Sequence, residues 1–389
     1  MPPGDEAGHG ALPHRLLLRI CALLPPGGMI FTVPRLSKAL AAWAAPQRAQ
    51  LRAELRAAVA LHASDRMSLG KPAIEAFSAP LWALQEAWPA LTGEQQALAA
   101  ERAAFHGDVA ALGWVLPRLA RRSRCICEAA AAGGQLEALQ CARQHGCPWG
   151  ATSARAAMSG QLAVLQWALA QEPPCPSNEH ICDVAALGGQ LAVLQWARAQ
   201  DPPYPWDEGT CRFAARYGCL AVLQWARAQE PPCPWDETAC SRAALGGHLA
   251  VLQWARAQDP PCPWDEVTCR AAGEGGHLAV LQWARAQDPP CPWDELTCEA
   301  AAKHGHLAML QWARAQDPPC PWNEVACEAA AGAGHLAVLQ WLRAQDPPCP
   351  WNFLAYFFAG EFAEDEDVAY EITQWIRKQV RRDGGVFPF

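Results

Sequence analysis

Apolar and polar residues recur along residues 306–316 with the spacing of an α-helix. Leu307, Leu310 and Ala313 share one side of that helix, whereas Gln311, Arg314 and Gln316 are polar. Proline residues follow directly, and proline can continue neither the hydrogen bonding nor the backbone angles of a helix. The pattern therefore predicts an amphipathic helix that runs from about residue 306 to residue 316.

The segment before it predicts a partner helix. Asp294 follows a Pro-Trp pair and is a strong N-cap, so a helix begins there and runs to about Ala302. The alanines at its end are small enough for a neighbouring helix to lie close, and Gly305 suits a turn residue with positive φ. The unit is predicted to be two helices joined by a glycine turn.

This unit recurs along the chain. The tryptophan of its Leu-Gln-Trp sequence is found every 29 residues, at Trp167, Trp196, Trp225, Trp254, Trp283, Trp312 and Trp341. An Ala-Ala-x-x-Gly frame defines nine units, beginning around Gly107. Fixed periods are typical of solenoids and propellers, but a propeller blade needs about 40–45 residues for its strands. The shorter, helical period predicts a solenoid over residues 101–351.

Three other segments flank the predicted array. Residues 1–45 predict short apolar helices, residues 46–100 predict a helical linker or N-terminal cap, and residues 352–389 predict a C-terminal cap with a final amphipathic helix. Caps are expected because the end units of an array otherwise expose their stacking faces.

The unit resembles an ankyrin repeat. The resemblance rests on Ala301-Ala302-Lys303-His304-Gly305-His306-Leu307-Ala308-Met309-Leu310 and extends over residues 101–351. The period is shorter than the usual 33 residues, and Leu296-Thr297-Cys298-Glu299 replaces the usual Thr-Pro-Leu-His. The resemblance implies an all-α, ankyrin-like helix-turn-helix solenoid whose first helices line a concave, protein-binding groove.

The first 45 residues resemble an F-box, through Leu12-Pro13, Ile20, Leu24-Pro25 and Ser37-Lys38. This resemblance implies a substrate receptor that docks on a Skp-family adaptor of a cullin-RING ubiquitin ligase. The residues expected to contact the adaptor are Leu12, Pro13, Leu16, Ile20, Leu24 and Pro25. The alternative stays open that residues 1–100 are only a helical cap and that the protein is an ankyrin-like scaffold with no ligase link.

The composition limits the classes of partner and the cellular location that we expect. A formal net charge of -8 gives no attraction to phosphate backbones, so we expect no nucleic-acid partner. The N-terminus has no signal-peptide pattern and no long apolar run follows, so we expect a monomer in the cytosol or nucleus that does not contact membranes. The 18 cysteines mostly follow the repeat and are expected to be free thiols.

The repeated aromatic, cysteine and histidine residues are interpreted as structural. Tryptophans of the Leu-Gln-Trp and Cys-Pro-Trp series are expected to pack between units. Cysteines such as Cys291 and Cys298 lie seven apart, outside zinc-ligand spacing. Histidines such as His306 are expected to hydrogen-bond across the turn to the next unit. No catalytic motif is present, so we expect neither enzyme activity nor a cofactor.

Positions that differ between otherwise similar units are the candidate partner surface. They lie four apart in the first helices and so share one helix face. The candidates are Asp183, Arg212, Arg216, Ser241, Arg270, Glu274, Glu299, Lys303 and Glu328. The alternative is a solvated face free to vary, with Arg270/Glu274 and Glu299/Lys303 as exposed ion pairs contributing only about 0.2–0.5 kcal/mol each.

Overall fold

The structure, a computed structural model, describes residues 81, 84–85, 88–176, 180–361 and 366–382. Regular structure within these residues is entirely helical and contains no strand. Two short 3-10 helices, Trp88–Ala90 and Leu116–Arg118, accompany 20 α-helices. The all-α prediction is therefore confirmed for this part of the chain, and the predicted segment 1–45 lies outside it.

The chain divides into two compact units, Met1–Asn178 and Glu179–Phe389. The described helices of the first unit form three consecutive pairs. They are α1 (Gly93–Phe105), α2 (Val109–Val115), α3 (Arg124–Ala132), α4 (Leu136–Gln144), α5 (Thr152–Met158) and α6 (Leu162–Leu169). The array begins at α1, eight residues before the predicted start.

The second unit contains seven further pairs. They are α7 (Ile181–Leu187), α8 (Leu191–Arg198), α9 (Glu208–Arg216), α10 (Leu220–Arg227), α11 (Glu237–Gly246), α12 (Leu249–Arg256), α13 (Glu266–Gly275), α14 (Leu278–Arg285), α15 (Glu295–Lys303), α16 (Leu307–Arg314), α17 (Glu324–Gly332), α18 (Leu336–Arg343), α19 (Phe353–Glu361) and α20 (Glu366–Arg382). Odd numbers are the first helices of each pair and even numbers the second helices.

Within each unit the pairs stack in a solenoid-like arrangement. Each first helix packs against the first helix of the next pair, and each second helix packs mainly against its own first helix. Ala243 and Ala244 are fully buried on α11, and their small side chains allow the close approach of neighbouring first helices. Leu252 and Leu281 are fully buried on second helices and fill the space within the pairs.

The turn signal acts as predicted, since Gly305 has a φ of 76°. The predicted N-cap Asp294 precedes α15, but its side chain makes no capping hydrogen bond, so this prediction was wrong in its contact. Capping does occur at the equivalent residue of α11. Asp236 caps α11 by accepting a hydrogen bond from the backbone N–H of Thr238 at 3.0 Å. Gly247, which follows α11, has a φ of 74°. An added Cβ at Gly247 would lie 2.5 Å from the His277 ring, so both its conformation and its surroundings require glycine. The predicted bounds of α15 and α16 differ from the observed ones by at most two residues.

In most pairs an arginine near the end of the second helix binds the loop that follows. Arg256 donates from Nη1 to the carbonyl of Cys262 at 2.7 Å. The same guanidinium lies 4.2 Å from the ring centroid of Trp264, which makes an edge contact with Trp283 at 5.9 Å between centroids. The contact is repeated along the second unit, so α12 is joined through Trp264 to α14 of the next pair. The expected packing of the tryptophans between units is confirmed.

The cysteines meet in an unexpected combination. All 17 cysteines among the described residues are free thiols. Cys269 of α13 lies against Cys291 of the following loop, and the Sγ of Cys291 also approaches the carbonyl of Asp265 at 3.4 Å. The hydrogen bond with the Cys269 thiol, together with burial, raises the pKa of Cys291 above its ordinary value. Cysteines 22 residues apart, not equivalent ones, are therefore neighbours.

The histidines after the glycine turns bond between pairs, but backwards along the chain. The Nε2 of His248 donates to the carbonyl of Arg216 at 3.1 Å, and that of His306 donates to the carbonyl of Glu274 at 3.2 Å. The expected bond to the next unit was wrong in direction, because the first helix that ends beside each imidazole belongs to the preceding pair.

The end of the chain forms a tenth pair beyond the nine predicted. Trp375 of α20 makes an edge contact with Trp351 at 6.0 Å between centroids, as second-helix tryptophans do elsewhere. Val368 faces Gly334, the place that histidine takes in earlier pairs. Ile372 and Ile376 are fully buried and supply the apolar side of α20. The capping segment is therefore a divergent repeat.

Candidate functional site

One set of residues that vary between pairs lies at two positions of the first helices, one and five places after the helix cysteine. In the second unit we call this set the first-helix row. Its members are Asp183, Leu187, Arg212, Arg216, Ser241, Leu245, Arg270, Glu274, Glu299, Lys303, Glu328 and Gly332. The row crosses six consecutive first helices, α7 to α17, which pack against one another.

Two predicted members of the row are structural and not exposed. Asp183 is 8% exposed, and its Oδ1 accepts a hydrogen bond from the hydroxyl of Thr210 at 2.6 Å, which links α7 to α9. Ser241 is 7% exposed and donates to the carbonyl of Thr238 at 3.1 Å. These two side chains are hydrogen-bonded inside the fold and little exposed, so they offer less to a partner than the charged members that follow.

The charged members that follow are accessible and unpaired. Arg270, Glu274 and Lys303 are exposed, and Glu299 is half-buried. Neither of the two predicted ion pairs, Arg270 with Glu274 and Glu299 with Lys303, is formed among the described residues. These charges are therefore free to pair with groups on another molecule.

Arg212 and Arg216 lie on α9 and are half-buried. The Arg212 guanidinium lies 5.2 Å from the ring centroid of Phe213. The Nη1 of Arg216 is buried, and no described residue accepts a hydrogen bond from it. The row thus carries positive charge on α9, and carboxylates predominate among its charged members from α13 to α17.

A cavity of about 460 Å³ opens in the row between α15, α17 and α19. Its size lies in the range of about 300–1,000 Å³ that is usual for ligand pockets. Its wall includes Glu299, Lys303, Val325, Glu328, Ala329, Gly332, Ala333 and Phe358. Three of the predicted partner residues, Glu299, Lys303 and Glu328, are therefore brought together.

Glu328 is the least exposed charged group of this cavity. Its side chain is 7% exposed, yet it has no hydrogen bond or ion pair with any described residue. A buried carboxylate is unfavourable unless it is paired or hydrogen-bonded. Here its remaining exposure is toward the cavity, which makes Glu328 a group ready for a cationic ligand.

Two sequence differences shape the wall of the cavity. The row position five places after the helix cysteine carries Leu245 in α11 and Lys303 in α15 but Gly332 in α17, so this wall has no side chain there. Phe358 of α19 replaces the alanine found at Ala329 of α17 and forms the opposite wall. A Cβ on Gly332 would lie 3.2 Å from the Cβ of Phe358.

An exposed apolar patch adjoins the cavity on α19. Phe353, Leu354 and Phe357 are each about 40% exposed, and the Phe357 ring contacts that of Phe358 at 6.0 Å between centroids. Large apolar side chains clustered at a surface are typical of interaction sites. Periodicity alone missed this patch because α19 departs from the repeat.

One carboxylate of the first unit is buried and has a shifted pKa. Glu101 of α1 is 5% exposed, and burial raises its pKa to about 7, with a smaller contribution from the nearby carboxylate of Glu128.

Within the described residues no group of three His, Cys, Asp or Glu side chains is placed to hold a metal ion. None of the described helices is both long and apolar enough to span a bilayer.

Comparison with known families matches one described as a leucine-rich repeat N-terminal domain. The match covers three consecutive segments, residues 242–270, 275–299 and 301–328, which make up about a fifth of the chain. A search of curated proteins finds no similar protein. Leucine-rich repeats carry a strand in each unit, whereas the matched segments form the helix pairs α11 to α17, so the similarity is one of sequence.

The resemblances to ankyrin and F-box families are not upheld. Neither family matches the chain, and the match that is found overlies the segments from which the ankyrin resemblance was taken. The short frame of alanines, glycine and leucine is what a close helix pair with a tight turn requires, so it does not identify a family. The predicted adaptor-binding residues Leu12, Pro13, Leu16, Ile20, Leu24 and Pro25 lie outside the described residues.

Proposed function

We propose that this protein is a non-catalytic scaffold that binds a protein partner along the first-helix row of its second unit. The supporting observation is that the shared and the variable residues of the repeat have different structural roles. Residues shared by the pairs, such as Arg256, Trp264 and Cys291, are occupied in packing and loop contacts. Residues that differ, such as Arg270 and Glu274, are exposed and unpaired on one row.

The charge along the row supports a macromolecular partner. Two positive side chains on α9 are followed by three carboxylates and two cations on α13 to α17 and by the apolar patch of α19. A surface of this length with alternating character fits an extended or folded protein better than a small metabolite. Charge complementarity of this kind fixes the register of a complex and increases its association rate.

Site-specific photo-crosslinking in cells that make the protein tests this proposal. A photoreactive amino acid replaces Arg270 on α13 in one variant and Gln282 on α14 in the other, since both positions are exposed and belong to the same pair. We expect a discrete crosslinked protein from position 270 and none from position 282.

Charge reversal completes the design. Arg270→Glu is expected to weaken capture of the crosslinked protein without changing the melting temperature, because this exposed side chain makes no hydrogen bond, ion pair or ring contact with the described residues. Equal crosslinking from both positions, or crosslinking from position 282 alone, would refute the proposed surface.

A further inference from the structure

The cavity between α15, α17 and α19 has properties that define one kind of occupant. The inference rests on the proposed function, since the occupant belongs to the partner that the first-helix row binds. The cavity is lined by two carboxylates, Glu299 and Glu328, and by a single cation, Lys303. Lys303 is exposed and makes no ion pair with Glu299 or with any other described residue.

The charge of the wall selects a cation. Glu328 is 7% exposed and unpaired among the described residues, and its carboxylate oxygens are not fully buried, so solvent reaches them at the cavity wall. A partner cation that enters the cavity replaces that water with a charge-assisted hydrogen bond, which is stronger than a neutral one. Glu299 adds a second acceptor on the neighbouring helix, and the combined charge disfavours an anionic or neutral ligand.

The apolar wall selects among cations. Phe358 presents an aromatic ring, and Val325, Ala329 and Ala333 contribute small apolar surfaces. An arginine side chain combines an aliphatic stem with a planar guanidinium that stacks on aromatic rings and pairs with carboxylates through two parallel hydrogen bonds. A lysine ammonium is a compact, strongly hydrated point charge and uses such a wall less well.

We propose that this cavity binds the side chain of an arginine in the partner protein, with its guanidinium on Glu328 and its plane against the Phe358 ring. The same repeat uses this chemistry internally, where Arg314 covers the ring of Trp322 at 3.9 Å. Preceding pairs have Ser241 with Leu245 or Arg270 with Glu274 at the two row positions, so this combination occurs once in the described part of the row. One arginine of the partner is thereby set in register with the last pairs of the array.

Fluorine NMR on the full-length protein tests this proposal. A trifluoromethyl-phenylalanine replaces Phe357, whose exposed ring contacts that of Phe358 and so reports on the cavity. The probe is N-acetyl-arginine N-methylamide, compared with the citrulline analogue, which has the same shape without the charge, and with the lysine analogue. We expect a saturable shift in the millimolar range for arginine, at least tenfold weaker binding of citrulline, and weaker binding of lysine.

Variants locate the response. Glu328→Gln removes the charge and is expected to weaken arginine binding at least tenfold. Glu274→Gln is the matched control, because this exposed carboxylate lies on the same row but outside the cavity. Melting curves by circular dichroism verify that each variant is folded.

Several outcomes would overturn the inference. These are no saturable shift with the arginine probe, an equal response to citrulline or lysine, or a response that survives Glu328→Gln in a folded protein. Each of them leaves the proposed function standing if position 270 still crosslinks a partner, whereas loss of that crosslink alone refutes the scaffold surface and not the cavity chemistry.

Discussion

Replacing Arg256 by methionine tests whether the arginine contact holds successive pairs together. Methionine keeps most of the aliphatic stem but removes the donor to the Cys262 carbonyl and the cation over Trp264. A hydrogen bond from a charged donor contributes about 1.5–3 kcal/mol, and a cation above an aromatic ring about 0.5–2 kcal/mol. Because the two contacts share one side chain and are not additive, we expect a loss of about 2–3 kcal/mol.

Hydrogen exchange measured by mass spectrometry localises this loss. Each pair of a repeat array contacts only its neighbours, so protection should fall in the loop 257–264 and less in the equivalent loop 228–235. Arg256→Lys, which keeps a charge but not the planar fork, should lose about half as much.

Arg242→Met is the matched control, because Arg242 is exposed on α11 and makes no contact with the described residues. If Arg256→Met unfolds in urea at the same midpoint as Arg242→Met and keeps its loop protection, the arginine contact does not stabilise the array.

Three further changes have defined outcomes. Gly247→Ala should destabilise the protein by more than about 1 kcal/mol because φ is 74°. Gly113→Ala should stabilise α2 by up to about 1 kcal/mol, because a Cβ there would have no other atom within 4 Å. The urea midpoints of the two variants test both expectations. The raised pKa of Glu101, about 7 against an ordinary 4.5, makes stability fall as pH rises from about 4.5 to above 7, by up to about 3 kcal/mol, and Glu101→Gln should flatten the profile. A thiol reagent should label half-buried Cys219 quickly and fully buried Cys291 only on unfolding, and equal rates would contradict the burial of that thiol.

Local features of the fold followed from the sequence because their causes lie within a few residues. The cap at Asp236 and the turn at Gly247 depend on nearest neighbours in the chain, and the apolar side of the second helices depends on helical spacing. A fixed period also shows that equivalent residues stack. It does not show which unlike positions meet, so the neighbours Cys269 and Cys291 and the backward bond of His248 were missed.

The candidate surface was anticipated only in part for the same reason. Variation between units indicated the row, but its members differ in burial. Asp183, for example, accepts a hydrogen bond from Thr210 of the next first helix. The cavity depends on what is missing at Gly332 and on a large ring at Phe358, which come from different pairs. Pattern within one unit carries no information about such a combination. The family resemblance failed because a tight helix pair favours the same short frame in unrelated proteins.

The contact of Arg256 with Trp264 has a consequence for how such a chain can change in length. The arginine ends the second helix of one pair, and the tryptophan lies in the loop that leads to the next pair. The same contact recurs from one pair to the next in the central repeats. Removing residues 249–277 would join His248 to Leu278 and restore the same neighbours at the new junction, because the excised segment is one full period. A deletion that is not a whole number of periods would misalign arginine, tryptophan and cysteine at once. The array can therefore be shortened or extended in whole periods, while the order of side chains presented along the first-helix row, and with it the spacing of a bound partner, changes at each step.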